Sequence, residues 1–290
     1  MPTFDTPEPI AVDLDLSVAD VQITASDRTD TVVDVRPTNP ESQGDVTAAE
    51  QTTVSYADGK LRVVSQKSWR QWLPWSGRES IDVRISLPAM SDVRGSGGMT
   101  KLQCTGRLGQ CQYKTGAGTM RIEDAGPVTL SAGSADLEIG HATSHVDMKT
   151  GSGAVRIGSV DGGAVVKNSN GDTLIHSLTG DLRVSASNGN VLVENADAGV
   201  VAKSARGDIR LDHVETGRIV AETAKGDIEV GIRPGVAAWL DIDTAFGSVR
   251  NHLDDSGPPE PGASSVDIRA RTAYGDVTIR RAPADAAETA

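Results

Sequence analysis

The chain has 290 residues, 38% of them hydrophobic, which is enough to bury a sizeable core and excludes disorder throughout. Forty acidic residues against 28 basic ones give a net charge of −12, a field that repels nucleic acid and anionic lipid surfaces. Aromatics make up only 3% while glycine reaches 31 residues, a balance that suits stacked coils filled by small aliphatic side chains.

The start, MPTFDTPEPIAVDLDL, carries no basic segment followed by an apolar one, and no run of about 18 apolar residues occurs. The expectation is a soluble, cytoplasmic protein without membrane insertion. Residues 1–95 read as strands in irregular connections: VDLDL, DVQIT, TVVDV, TTVSY, KLRVV and IDVRISL alternate apolar with polar residues between turn formers. Aligning their apolar triplets puts Val21 and Ile23, Leu61 and Val63, and Leu102 and Cys104 at equivalent places in early, long coils. Within this region SWRQWLPWSGRES holds Trp69, Trp72 and Trp75. That loop is either a flap folded over the solenoid or an interaction patch anchored by tryptophan and arginine.

From Thr100 the period settles, with turns at Thr100, Gly118, Ala135, Gly153, Gly171, Gly189, Gly207, Gly226, Gly247 and Gly275. Phrases such as KTGSGAVRI, KNSNGDTLI, SASNGNVLV, KSARGDIRL and ETAKGDIEV recur at about 18 residues, so no single repeat can bury its own apolar side chains. The fold class is all-β, a single-chain β-solenoid with coils of about 18 residues, residues 96–282, behind the irregular N-terminal β region. Two inward stacks follow each turn, one through Val155, Thr173, Val191, Ile209 and Ile228 and one through Ile157, Ile175, Val193, Leu211 and Val230. The residues between them point outward, with Arg210, Glu229 and Arg250 alternating in sign and Leu174 and Leu192 apolar. Just before the turn, Arg206, Lys225, Phe246 and Tyr274 should stack in that order. The proline- and glycine-rich NHLDDSGPPEPGASS is expected to be a mobile loop, VDIRARTAYGDVTIRR to close the solenoid, and residues 283–290 to form a disordered tail.

Sites with chemistry are scarce. Cys104 and Cys111, the only cysteines, lack zinc-ligand spacing and are expected to be buried free thiols, with a disulfide as the sharper alternative. Glycine-aspartate turns resemble calcium-binding β-rolls, but aspartate serves the opposite corner only at Asp181, so turn chemistry explains them. Arg206, Gly207 and Asp208 spell an adhesion tripeptide that is one copy of the repeat's turn. Lys114, Lys149, Lys167 and Lys203 form a row read as a solvated face. The five histidines do not converge, and no metal site, cofactor site or catalytic constellation is predicted.

The spaced phrases KTGSGAVRI, KNSNGDTLI, KSARGDIRL and RTAYGDVTI resemble those of the bacterial family called domain of unknown function 4097, β-strand-repeat proteins that also carry an adhesin label. The opening segment and CTGRLGQCQYKTGAGTMRI are similar to its actinobacterial members. The resemblance implies a β-solenoid of no established activity and supplies no catalytic residues. The reading is therefore a non-catalytic scaffold or protein-interaction module, monomeric or a small homo-oligomer, with Trp69, Trp72, Trp75, Leu174 and Leu192 as candidate interaction residues. The alternative is a carbohydrate- or other ligand-binding β-helix, possibly a carbohydrate-active enzyme, which would need a groove along one face.

Overall fold

The computed structural model describes residues 1–65, 79–253 and 264–283. The described residues are all-β apart from one short helix, and the chain divides into two compact units. The first comprises residues 1–143 with 148–151, the second residues 144–147 with those described from 152 onward.

The first unit contains β1 (Thr3–Asp5), β2 (Ala11–Ser26), β3 (Asp30–Pro37), α1 (Gln43–Gln51), β4 (Thr53–Ala57), β5 (Lys60–Val64), β6 (Ile81–Pro88), β7 (Asp92–Leu108), β8 (Cys111–Ala125) and β9 (Val128–Ala142). The long strands β2, β7, β8 and β9 stack in parallel, one per coil, and their apolar residues alternate into the core. β5 and β6 together make the coil on the far side of β2, pairing with its first and second halves. Beyond that outer coil the pairing turns antiparallel: β4 lies on β5, β3 on β6 and β1 on β3. Ser42 caps α1 by accepting the Asp45 N–H, and the buried Asp45 carboxylate accepts the backbone N–H groups of Asn39 and Ser80. Phe4 and Tyr56 meet at 5.2 Å between ring centroids.

This arrangement corrects the early alignment. Val21 and Ile23 do pair with Leu102 and Cys104, but their other partners are Val83 and Ile85. Leu61 and Val63 pair instead with Val12 and Leu14 on the opposite sheet. The reason is local: Asp58 and Gly59, with φ of 51° and 72°, form the tight turn of the β4–β5 hairpin rather than a solenoid corner.

The second unit takes residues of β10 (Val146–Ser152) and then β11 (Val155–Val160), β12 (Ala164–Asn170), β13 (Thr173–Leu178), β14 (Leu182–Asn188), β15 (Val191–Ala196), β16 (Val200–Arg206), β17 (Ile209–Val214), β18 (Gly217–Lys225), β19 (Ile228–Ile232), β20 (Ala237–Phe246), β21 (Val249–Asn251), β22 (Ser265–Tyr274) and β23 (Val277–Arg281). Two parallel ladders run β12–β14–β16–β18–β22–β20 and β11–β13–β15–β17–β19–β23–β21. The expected stacks hold from Val155 to Ile228 and from Ile157 to Val230, all buried.

The last coil in sequence does not close this unit. β22 and β23 are inserted between β18/β19 and β20/β21, so Glu229 pairs with Thr278, and Thr278 with Arg250. The order before the turn is Arg206, Lys225, Tyr274, Phe246. Core quality explains the exchange. Val266, Ile268, Val277 and Ile279 fill the interior completely, whereas the coil left outside offers Val249 and a polar Asn251 at the equivalent inward places. Arg280 fixes the inserted coil by donating to Glu229 and, past the side-chain-free Gly231, to Asp212 at 3.0 Å.

Each glycine corner carries two ladders along the stack. Gly207, with φ of 139°, lies so near the previous corner that a Cβ would sit 2.0 Å from the Gly189 carbonyl oxygen. Inward hydroxyls three residues before the corner donate to these carbonyls: Ser204 to Gly189, Thr223 to Gly207, Thr272 to Gly226. Ala186 has no group to donate, and its neighbour Asn168 fills the gap by reaching both Gly153 and Gly171. After the glycine, Asp172, Asn190, Asp208 and Asp227 each accept the backbone N–H of the next coil's turn at 2.8 to 2.9 Å. These aspartates are thus committed to the backbone.

Candidate interaction surface

Leu174 and Leu192 come together. They are direct partners across β13 and β15, half-buried, and flanked in the same row by Arg156 and Arg210. His176 and Glu194 pair beside them at 2.7 Å, and Arg210 is held by Asp212 at 2.7 Å. The result is a narrow apolar stripe between cations. Trp69, Trp72 and Trp75 lie outside the described residues.

A larger apolar surface occurs where sequence reasoning placed only structural residues. On the outer coil of the second unit Trp239 is 72% exposed and Phe246 65%, with Val249 and Tyr274 also open. Phe246 stacks on Tyr274 with centroids 4.9 Å apart and planes 6° from parallel. Leu240 and Ile242 point along the core but are only half covered. Among the described residues β20 pairs only with β22 and β21 only with β23, which leaves a row of backbone donors and acceptors along one side. The sequence signal for this edge was Asn251, a polar residue at an inward position of an otherwise apolar stack.

Among the described residues, open depressions occur on the outer faces of both units. One in the first unit, about 520 Å³, is lined by Asp13, Asp15, Arg62, Arg94, Gln112 and Lys114. Another, in the second unit and about 460 Å³, gathers His145, Asp181, Arg183 and Arg218 around bare glycine corners. Lys203 of the predicted basic row pairs with Glu222 at 2.7 Å. Among the described residues no group of three or more metal-ligating side chains occurs, and no helix is long and apolar enough to cross a membrane.

The first unit also buries a cluster that sequence reasoning touched only through its cysteines. Tyr113 fills the space opposite Gly95, where an added Cβ would lie 2.6 Å from its ring, and burial pushes its phenol up to about 12. Its hydroxyl sits near that of Thr100 beside Gly97, yet neither makes a well-aligned hydrogen bond.

Residues 10–280, nearly all of these coils, match the family described as Toastrack DUF4097. The chain belongs to the Toastrack family. Solved structures similar to this Toastrack chain include proposed adhesins of Parabacteroides merdae, at 13% identity and TM-score 0.40, and Bacteroides fragilis, at 12% and 0.29. The alignments cover 96% of this chain in both cases, with 94% and 95% of those chains. A proposed cell adhesion protein of Clostridium sporogenes aligns at 11% identity and TM-score 0.23, over 97% of this chain and 98% of its own. No curated protein matches the Toastrack chain.

Proposed function

We propose that this Toastrack protein is a non-catalytic scaffold or interaction module that engages a protein partner through the outer coil β20–β21. The observation carrying the reading is that edge: unpaired strand backbone, a half-open core, and exposed Trp239 and Phe246 near the two ends of the same strand. Leu174 and Leu192, and Trp69, Trp72 and Trp75, are secondary candidates. The net charge of −12 opposes unlimited end-to-end growth, which supports a monomer or small oligomer. Residence in the cytoplasm is part of the proposal, supported by the scarcity of cysteine, and cell fractionation tests it.

The test is affinity capture from the native cell followed by binding of the captured protein to the purified chain. Three variants are compared: Trp239→Ser with Phe246→Ser, Leu174→Ser with Leu192→Ser, and Trp69, Trp72 and Trp75 all to Ser. Loss of direct binding in the first variant alone is expected. Equal binding by the first variant and the unaltered chain overturns the edge as the working surface.

A second reading rests on the depression lined by Asp13, Arg62, Arg94 and Lys114 in the first unit, which could hold a polar ligand such as an acidic glycan. A glycan screen in which binding disappears on Arg94→Ala would favour it, and an empty screen removes it.

A further inference from the structure

The two cysteines of the chain are placed as a pair. Cys104 sits in the inward row Ile23–Cys104–Ile122, and Cys111 in the row Val93–Cys111–Val128 of the opposite sheet. Both side chains are buried, at 2% and 0% exposure. The two rows face the core on either side of the same corner, and Cys111 is near enough to Cys104 to raise its thiol. The rows around them are mostly aliphatic, with Tyr113, Thr100 and Met120 among the exceptions, and these two cysteines are the chain's only thiols. The chain between them is a short turn carrying Gly106, whose φ of 77° lets β7 break its register with β8 between Cys104 and Arg107.

We propose that Cys104 and Cys111 are a disulfide-forming dithiol, and that they close an intramolecular S–S bond stapling β7 to β8 when the chain folds against a low-molecular-weight disulfide. One thiol, deprotonated, attacks a sulfur of the oxidant, breaking its S–S bond and releasing one thiol of the oxidant. The second cysteine then attacks the protein sulfur of the mixed disulfide. That step forms the Cys104–Cys111 bond and releases the other oxidant thiol, so two electrons and two protons pass from the protein to the oxidant. Timing follows from the burial. Hydrogen bonding to Cys111 and burial push the Cys104 thiol well above the ordinary thiol range, so the attacking thiolate is scarce once the core has closed. Oxidation therefore belongs to folding or to local opening, and the finished bond is shielded from reductants by the same packing. The pair records the redox state of the compartment in which the chain folded, independently of any partner at the β20–β21 edge.

The test refolds the full chain in a mixture of reduced and oxidised glutathione, then alkylates it after denaturation and measures intact mass. The expected product is a monomer two hydrogens lighter, carrying no alkyl group and regaining both thiols on reduction. Its thermal midpoint should lie several degrees above that of the reduced chain, while a Cys104→Ala, Cys111→Ala double variant shows no such response to oxidant. Two alkylated cysteines, glutathione attached to both, or a disulfide-linked dimer as the main product would each overturn the proposal. The mass readout needs no variant, so it stands even if the alanine substitutions fail to fold.

Discussion

The outer coil of the first unit and the outer coil of the second solve the same problem in opposite ways. β5 and β6 present a parallel edge, and the chain covers it with antiparallel β4, β3 and β1, the helix α1 and a buried Asp45 that fastens the connecting backbone. β20 and β21 present a similar edge, and among the described residues nothing pairs with it. The cost of an open edge is instead reduced by composition: the coil with the weaker core residues is left outside, and the coil of Val266, Ile268, Val277 and Ile279 is drawn in. That edge, with exposed tryptophan and phenylalanine on its strand, is the feature on which the proposed partner binding rests.

The steepest way to break this contrast is to compare corners. Gly207→Ala places a Cβ 2.0 Å from the Gly189 carbonyl oxygen at φ of 139°, so strain and overpacking together should destabilise the second unit by about 4 kcal/mol. Gly59→Ala, in the covering hairpin, meets nothing within 4 Å and should cost about 1 kcal/mol for its left-handed φ alone. Urea denaturation of both variants measures the difference, and equal losses would show that the corner stack carries no special load.

Next in size is the exchange of coils. Ile279→Ala removes a fully buried side chain from the inserted coil and should lose about 3 kcal/mol, whereas Val249→Ala, 48% exposed on the outer coil, should lose under about 1. Arg280→Ala comes third, at about 2 kcal/mol, because it strips Glu229 and Asp212 of a half-buried partner. Hydrogen exchange should then accelerate in β22, β23, β20 and β21 together, since among the described residues the outer coil pairs only with the inserted one. Acceleration confined to β20 and β21 would mean that Arg280 does not fasten the inserted coil.

Much of this was legible in the sequence, and the failures have physical causes. The period of 18, the inward stacks from Val155 to Val230 and the outward pair Leu174 and Leu192 follow from alternation and glycine spacing, which are local. Which coil lies beside which is not local. Coils of equal period are interchangeable in register, so only the quality of their inward residues, Asn251 against Ile279, separates the two stacking orders. The alignment of Leu61 and Val63 failed for a related reason: the glycine before them, Gly59, lies at positive φ, which marks a hairpin turn as readily as a solenoid corner. The hydroxyl three residues before the corner, from Ser204 to Thr272, was visible in the text of the repeat, but its meaning required seeing that it donates to the corner carbonyl of the preceding coil, as at Gly189 and Gly226. Trp239 went unnoticed because a single exposed tryptophan acquires significance only from the open edge beside it.

The two units also differ in what they bury, and this gives the smallest effect at neutral pH. The buried polar side chains of the second unit, Asn168, Thr173, Ser204, Thr223 and Thr272, do not titrate. The first unit buries Tyr113 against Cys104 and Cys111, with the phenol raised from its ordinary 10 to about 12. A raised acid is neutral in the fold and ionises first in the unfolded chain, so its contribution is complete below about pH 10 and is lost as the pH climbs toward 12. Two units correspond to about 3 kcal/mol at the far end, and the Cys104 thiol, raised in the same direction, steepens the decline. Tyr113→Phe removes a buried hydroxyl without a well-aligned partner, so near pH 7 its stability should lie within about 1 kcal/mol of the unaltered chain. Above pH 10 the variant should overtake the original. Urea midpoints at pH 7.5 and at about pH 10.5 decide the matter, and parallel declines in the two proteins would place the alkaline weakness outside this cluster.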